Sequence, residues 1–350
     1  MPRGLDHHLK TLRIPMGQWR NTGLIPPVIL LTGLAGIGKK TVARYLGQWL
    51  LCETFGPSCE RPCEKCSSCL SISQGLRLIE LGSSGASGAG QEDSESDHSN
   101  TGVLKIDQFR KLKEKMGFGS DDQVSKVILI PSADRMTQQA GNSILKLLEE
   151  PPQGWVFILT CNDPALLLPT LVSRCIRLSL KPLSPSILEE ILREKKIASG
   201  RVAICSALSL GSLGRALLLA EDENWTQRKI IAQFLAEPGK HLQNLIDWAT
   251  THPIHFDLLL DLVEQGTHDL ILWSTPPQNG AHAWRQSDLV TEFQSHAAQV
   301  EKTLGSKDAA RNFWVSQNER LSEIRLKSFA PVNRKLLTQD LLLPWLGVSA

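Results

Sequence analysis

The stretch Gly33-Leu34-Ala35-Gly36-Ile37-Gly38-Lys39-Lys40-Thr41 has the glycine spacing of a phosphate-binding loop. In such a loop, backbone N–H groups and a helix N-terminus attract phosphate, and a lysine reaches the outer oxygens. Gly33, Gly38 and Lys39 fit the pattern G-x-x-x-x-G-K-[ST], with Gly36 between them. The hydroxyl that should follow the lysine as a Mg²⁺ ligand is replaced by Lys40, whose ammonium repels the ion. Thr41 stands one residue late, a step that turns a side chain by about 100° on a helix. P-loop ATPases also place an Asp on Mg²⁺ and a Glu on the attacking water after a second buried strand. Following Lys126-Val127-Ile128-Leu129-Ile130, those two positions hold Pro131 and Ser132. The loop is expected to keep the architecture of an ATP site without its hydrolytic chemistry. Lys39 and the glycines leave weak binding of ATP, ADP or phosphate open.

A second constellation follows within thirty residues. Cys63, Cys66 and Cys69 form C-x-x-C-x-x-C, and two-residue spacings let thiolates converge on one tetrahedral Zn²⁺. Cys52 is the expected fourth ligand and Cys59 its competitor. With four sulfurs and no open position, the zinc would be structural. Cys161, Cys175 and Cys205 lie in apolar surroundings and read as core residues.

The elements that must position these residues are legible around them. The run 28–32 is a buried strand and 40–51 a helix with apolar residues at helical spacing. Further strands are expected at 126–130, 156–160 and 175–180, with a helix over 137–150 ended by Pro151-Pro152. Strands alternating with helices imply a parallel α/β sheet over roughly 1–181. Residues 83–102 are rich in Gly, Ser, Asp and Glu without apolar periodicity and read as a flexible insertion. After it, Asp107 can cap a helix running through Phe109, Leu112 and Met116. Beyond Pro182 the patterns are helical. Ser184 and Pro185 start one helix, and others are expected at 230–235, 241–248, 257–262 and 268–273. The expected domains are 1–181 (α/β, with the cysteine module at about 52–69), a small helical domain at 182–236 and a larger one at 237–350.

With 350 residues, 41% hydrophobic, 21% charged and a net charge of +2, the chain reads as a globular protein of several domains. Near-neutrality argues against a whole-chain basic field for nucleic acid. The first residues lack a signal-peptide layout, and no apolar run approaches the ~20 residues of a membrane span. A cytoplasmic protein is expected, where thiols stay reduced.

These pieces resemble one family, the clamp-loader subunits of bacterial DNA polymerase III in the AAA+ class. The resemblance rests on the phosphate-binding loop, the cysteine module directly after its helix and Ala133-Asp134-Arg135-Met136-Thr137. It continues through Asn142-Ser143-Ile144-Leu145-Lys146-Leu147-Leu148-Glu149-Glu150-Pro151-Pro152, Ser173-Arg174-Cys175 and Gly211-Ser212-Leu213-Gly214-Arg215, covering about residues 20–220. It implies a RecA-like parallel sheet, a helical lid and an all-α collar. It also implies that Arg174 is an arginine finger reaching the ATP of a neighbouring subunit, worth ~10³ to 10⁵ in rate in related GTPases. The alternative for Arg174 is a loop arginine paired with a surface acid. Arg215 resembles the lid's sensor arginine, and Thr160 and Asn162 flank the strand-end sensor position.

The departures at Lys40, Pro131 and Ser132 argue against the hydrolysing gamma and tau members and for a silent member of the ring. Its implied partners are gamma or tau, delta, the sliding clamp and primed DNA. One competing reading is a working gamma-type ATPase in which Thr41 and Asp134 replace the missing groups. Another is a zinc-bearing nucleic-acid binder, weakened by near-neutral charge and the lack of an aromatic stripe.

Overall fold

The structure is a computed structural model. It describes residues 3–54, 61–72, 77–81, 124–236, 240–275, 284–328 and 332–348. Cys59, the 83–102 insertion and the helix expected from Asp107 lie outside the described residues. The chain divides into two compact units, Met1–Ile187 with Ser212–Gly214, and Leu188–Gly211 with Arg215–Ala350.

The first unit is built on five parallel strands: β1 (Val28–Thr32), β2 (Leu78–Glu80), β3 (Lys126–Ile130), β4 (Trp155–Cys161) and β5 (Ile176–Ser179). They pair in the order β2-β3-β4-β1-β5, with Leu30 in register with Leu159 on one side and Arg177 on the other. Every residue of β1 and β4 is buried, as expected of strands covered on both faces. Alternation along the strands feeds two cores. Ile29, Leu31, Val127, Leu129, Val156 and Ile158 pack with α1 (Arg3–Thr22) and α2 (Lys39–Leu51). Val28, Leu30, Ile128, Ile130, Phe157 and Leu159 pack with Ile144, Leu147 and Leu148 of α4 (Gln138–Glu149). Thr137 caps α4 by accepting a bond from the Ala140 N–H at 3.1 Å. Two short helices, α3 (Ser67–Ile72) and α5 (Pro169–Val172), complete the unit. Cys161 and Cys205 are buried, whereas Cys175 is only partly so and its thiol donates to the Leu171 carbonyl at 3.1 Å.

Four elements of this unit are not anticipated above: α1, α3, β2 and α5. β2 has only three residues. α1 carries Pro15 in its interior, which reads as a helix breaker. Its stripe of Leu5, Leu9, Leu12, Met16 and Trp19, spaced four and three alternately, is nonetheless helical and feeds the first core.

The second unit is helical. α6 (Pro185–Glu194) runs into it, followed by α7 (Ser199–Leu208), α8 (Leu213–Ala220), α9 (Asp222–Ala236), α10 (Leu242–Thr251), α11 (Pro253–Ser274), α12 (Val290–Leu304), α13 (Lys307–Lys327) and α14 (Arg334–Leu342). The segments 257–262 and 268–273, read as separate patterns, are one helix, α11. Its core holds Arg228, whose guanidinium meets Asp288 at 2.5 and 3.1 Å and Gln286 at 3.1 Å. The carboxylate of fully buried Asp269 accepts from the Arg285 and Gln286 N–H groups at 3.3 and 3.2 Å. Burial pushes this carboxyl up to about 6, against the pull of those N–H groups.

Candidate functional site

Because the strands are parallel, their C-terminal ends share one edge of the sheet, where ligands of open α/β sheets bind. β1 delivers the glycine loop there, β3 delivers Pro131 to Asp134, and β4 delivers Asn162. Gly33, Gly36 and Gly38 all have positive φ, at 150°, 72° and 105°, so the loop needs glycine at these turns.

The loop's polar groups are engaged by the protein itself. Lys39 is 8% exposed, and its Nζ donates to the carbonyls of Gly33 and Leu34 at 2.8 and 2.7 Å and to Asn162 Oδ1 at 2.7 Å. The Ala35 carbonyl accepts from the Ser212 hydroxyl at 2.8 Å, and the Gly36 carbonyl from the Gly214 N–H at 2.9 Å. A side chain at 214 would place its Cβ 2.7 Å from the Gly36 oxygen, so the Gly211 to Arg215 motif has glycine where two backbones touch. His8 of α1 lies against the same loop, its Nε2–H donating to the Ile37 carbonyl at 2.9 Å. Burial holds His8 below the usual imidazole value, which keeps it neutral.

The groups that would hold Mg²⁺ are turned to other tasks. Lys40 pairs with Glu80 at the end of β2, and Arg44 joins the same carboxylate at 2.6 Å. Thr41 is exposed in the first turn of α2. Ser132, where a water-activating Glu would stand, is left-handed at φ 50° and ψ 51°, and its N–H donates to Thr160 Oγ1 at 3.0 Å. Asp134 is buried, and its Oδ2 accepts from the Asn162 N–H at 2.7 Å. It braces the strand end that presents Asn162 to Lys39. Burial, with the nearby Asp134 carboxylate, pushes the Cys161 thiol up to about 12, leaving it inert. These residues do not fit an ATP·Mg²⁺ complex.

The cysteines are brought together as the spacing requires. The Sγ atoms of Cys52, Cys63, Cys66 and Cys69 all lie within 4.8 Å of one another, with Cys63 and Cys69 3.9 Å apart. Sulfurs bound at about 2.3 Å to one tetrahedral ion would stand about 3.8 Å apart, so the set fits a metal. Cys52, at the end of α2, accepts from the Cys63 N–H at 3.3 Å, and Cys63 from the Cys66 N–H at 3.3 Å. N–H groups of Lys65 and Cys66 pull the Cys63 thiol down to about 6, toward the thiolate a metal takes. Glu53 orders the module by accepting from Ser68 N–H and Oγ–H at 3.1 and 2.9 Å.

Arg174 follows α5 at the surface. Its guanidinium pairs with Glu149 at the end of α4 and donates to the Thr170 carbonyl at 2.5 Å. The pairing with a surface acid is thus present in the chain by itself. Arg215 belongs to the helical unit, where it meets Asp261 at 2.9 Å. Asp261 also meets Arg325 at 3.0 Å. Sequence reasoning missed His8 and the Lys39, Asn162 and Asp134 chain of contacts. The helical stripe around His8 was the available signal for the first.

Comparison with known proteins bears on this geometry. The family described as "DNA polymerase III, delta subunit" matches residues 17–184. A DNA polymerase III subunit delta' of Yersinia pestis is 28% identical over 341 residues, covering 93% of this chain and 90% of that one. The subunit delta' of Bacillus subtilis (strain 168) is 30% identical over 57% of this chain and 55% of its own length. The subunit tau of Escherichia coli (strain K12) is 31% identical over 57% of this chain but only 29% of its own. On these matches, with a delta' subunit aligned along nearly its whole length, the chain is similar to the clamp-loader subunits of DNA polymerase III.

Proposed function

We propose that the chain is a non-hydrolysing clamp-loader subunit of the delta prime type. It completes a ring with gamma or tau and delta and donates Arg174 in trans to a neighbour's ATP while the sliding clamp is placed on primed DNA. The observation that carries this reading is the self-engaged loop. Lys39 is spent on two loop carbonyls and Asn162, and the metal positions hold Lys40, Pro131 and Ser132. Asp134 and exposed Thr41, which a gamma-type ATPase would need as substitutes, are respectively tied to the Asn162 N–H and set on the surface. Arg174 sits on the surface, held by one exposed carboxylate and a carbonyl. A surface pair of this kind is worth about 0–1 kcal/mol and is easily exchanged for a phosphate.

In this proposal residues 1–181 form the AAA+ domain, 182–236 the lid and 237–350 the collar, all in the cytoplasm. No described helix is long and apolar enough to cross a membrane. Zn²⁺ on Cys52, Cys63, Cys66 and Cys69 would order the segment after α2 and supply no reaction chemistry. The test is ATP turnover by gamma and delta with clamp and primed DNA, with and without this chain, beside the chain alone. The reading expects turnover to depend on the chain while the chain alone hydrolyses nothing. Steady hydrolysis by the purified chain would reject it.

A further inference from the structure

Beside the glycine loop, and separate from it, the first unit has a cleft of about 520 Å³ between α1 and α2. Among the described residues its mouth carries Lys10, Arg13 and Arg20 from α1, Arg61 from the cysteine module and one acid, Asp6. The three α1 cations stand at positions i, i+3 and i+10, which places them along one side of the helix. Ten residues of helix span about 15 Å, so the charges form a row rather than a point. Lys10 and Arg13 are exposed and have no acid partner among the described residues. Gly17 lines the cleft between them and Arg20, and a Cβ there would meet nothing within 4 Å. The floor is made by Tyr45 and Trp49 of α2, only 7% and 1% exposed.

We propose that this cleft binds one phosphodiester strand of nucleic acid through its backbone. A row of about 15 Å matches roughly four phosphates of a strand that places one charge per 3.4 Å. A lone phosphate would need the cations to converge. An acidic peptide would need an open apolar anchor pocket, but the Tyr45 and Trp49 rings are already spent on the core. For the same reason they offer no face on which bases could stack, so recognition is of the backbone and independent of sequence. The site extends the reading above, in which primed DNA is a partner, by giving this chain its own contact on α1.

The experiment is fluorescence anisotropy of a labelled twenty-residue oligothymidylate titrated with the full chain across a range of NaCl concentrations. It compares wild type, Lys10→Glu with Arg13→Glu, and the milder Lys10→Gln with Arg13→Gln, with circular dichroism checking the fold of each. Each phosphate contact on a single strand contributes about −0.7 to the slope of log K against log salt. Both double variants should lower the slope's magnitude by roughly 1.4 and weaken binding at least tenfold at low salt. Unchanged slopes in folded variants would overturn the proposal. So would polyglutamate of equal charge displacing the oligonucleotide as well as unlabelled oligothymidylate does. Binding is read on the chain alone and ATP turnover on the assembled loader, so failure of the cleft leaves the arginine-donor reading standing, and the reverse.

Discussion

Lys39 and Arg174 are both cations on motifs that resemble parts of an ATPase, yet the protein holds them in opposite ways. Lys39 is buried beneath its own loop and satisfied by three neutral acceptors. Arg174 stands at the surface with one exposed acid and a carbonyl. The cost of withdrawing each differs accordingly. Releasing Lys39 would break three part-buried hydrogen bonds from a charged donor, each of the kind worth about 1.5–3 kcal/mol, whereas releasing Arg174 gives up a surface pair worth about 0–1 kcal/mol. On the proposed reading, the half of the site that would receive phosphate serves as structure, and the half that would reach another subunit's phosphate remains available.

The largest effect that could break this contrast lies in the assembled complex, where Arg174→Ala should lower ATP turnover by ~10³ to 10⁵. Next is the cysteine module. Atomic emission should find about one zinc ion per chain, and Cys66→Ser should remove nearly all of it while hydrolysis by fresh complex persists. Lys39→Ala should cost about 1–3 kcal/mol in urea unfolding without changing turnover, since the lysine braces the loop rather than nucleotide.

A smaller effect is carried by pH. Burial places the folded-state value of His8 below its unfolded value near 6.5. On acidification the unfolded chain therefore takes the proton first, and stability falls as pH drops below about 6.5. His8→Gln should flatten thermal stability between pH 7 and 5.5. Asp269, raised to about 6, acts in the opposite sense. The folded chain takes that proton first, so its contribution grows as pH falls from about 6 toward 4. The smallest effect is expected of Glu149→Ala, at most about 1 kcal/mol in stability with turnover retained.

Much of the first unit was legible because its signals are local. β1, the glycine loop and α2 follow one another within 24 residues, Val28 to Leu51, and Thr137 announces α4 by its cap. Cys52 could be chosen as the fourth thiol because it ends the helix that leads into the module. Other features were hidden by chemistry that acts at a distance or by local breakers. Asn162 reaches Lys39 across 123 residues and Ser212 reaches Ala35 across 177, which no periodicity encodes. Pro15 masked α1 despite its apolar stripe. Gly266 split the pattern of α11, yet it sits where the Leu235 side chain packs against the helix. The resting partner of Arg174 follows from the juxtaposition of α4 and α5, which the sequence does not reveal.

The most direct measurement is ATP turnover by a loader reconstituted from gamma, delta and this chain with clamp and primed DNA, comparing wild type, Arg174→Ala and Lys39→Ala. The account predicts a loss of ~10³-fold or more for Arg174→Ala and wild-type turnover for Lys39→Ala. Full turnover with Arg174→Ala, or its collapse with a folded and assembled Lys39→Ala, would contradict it.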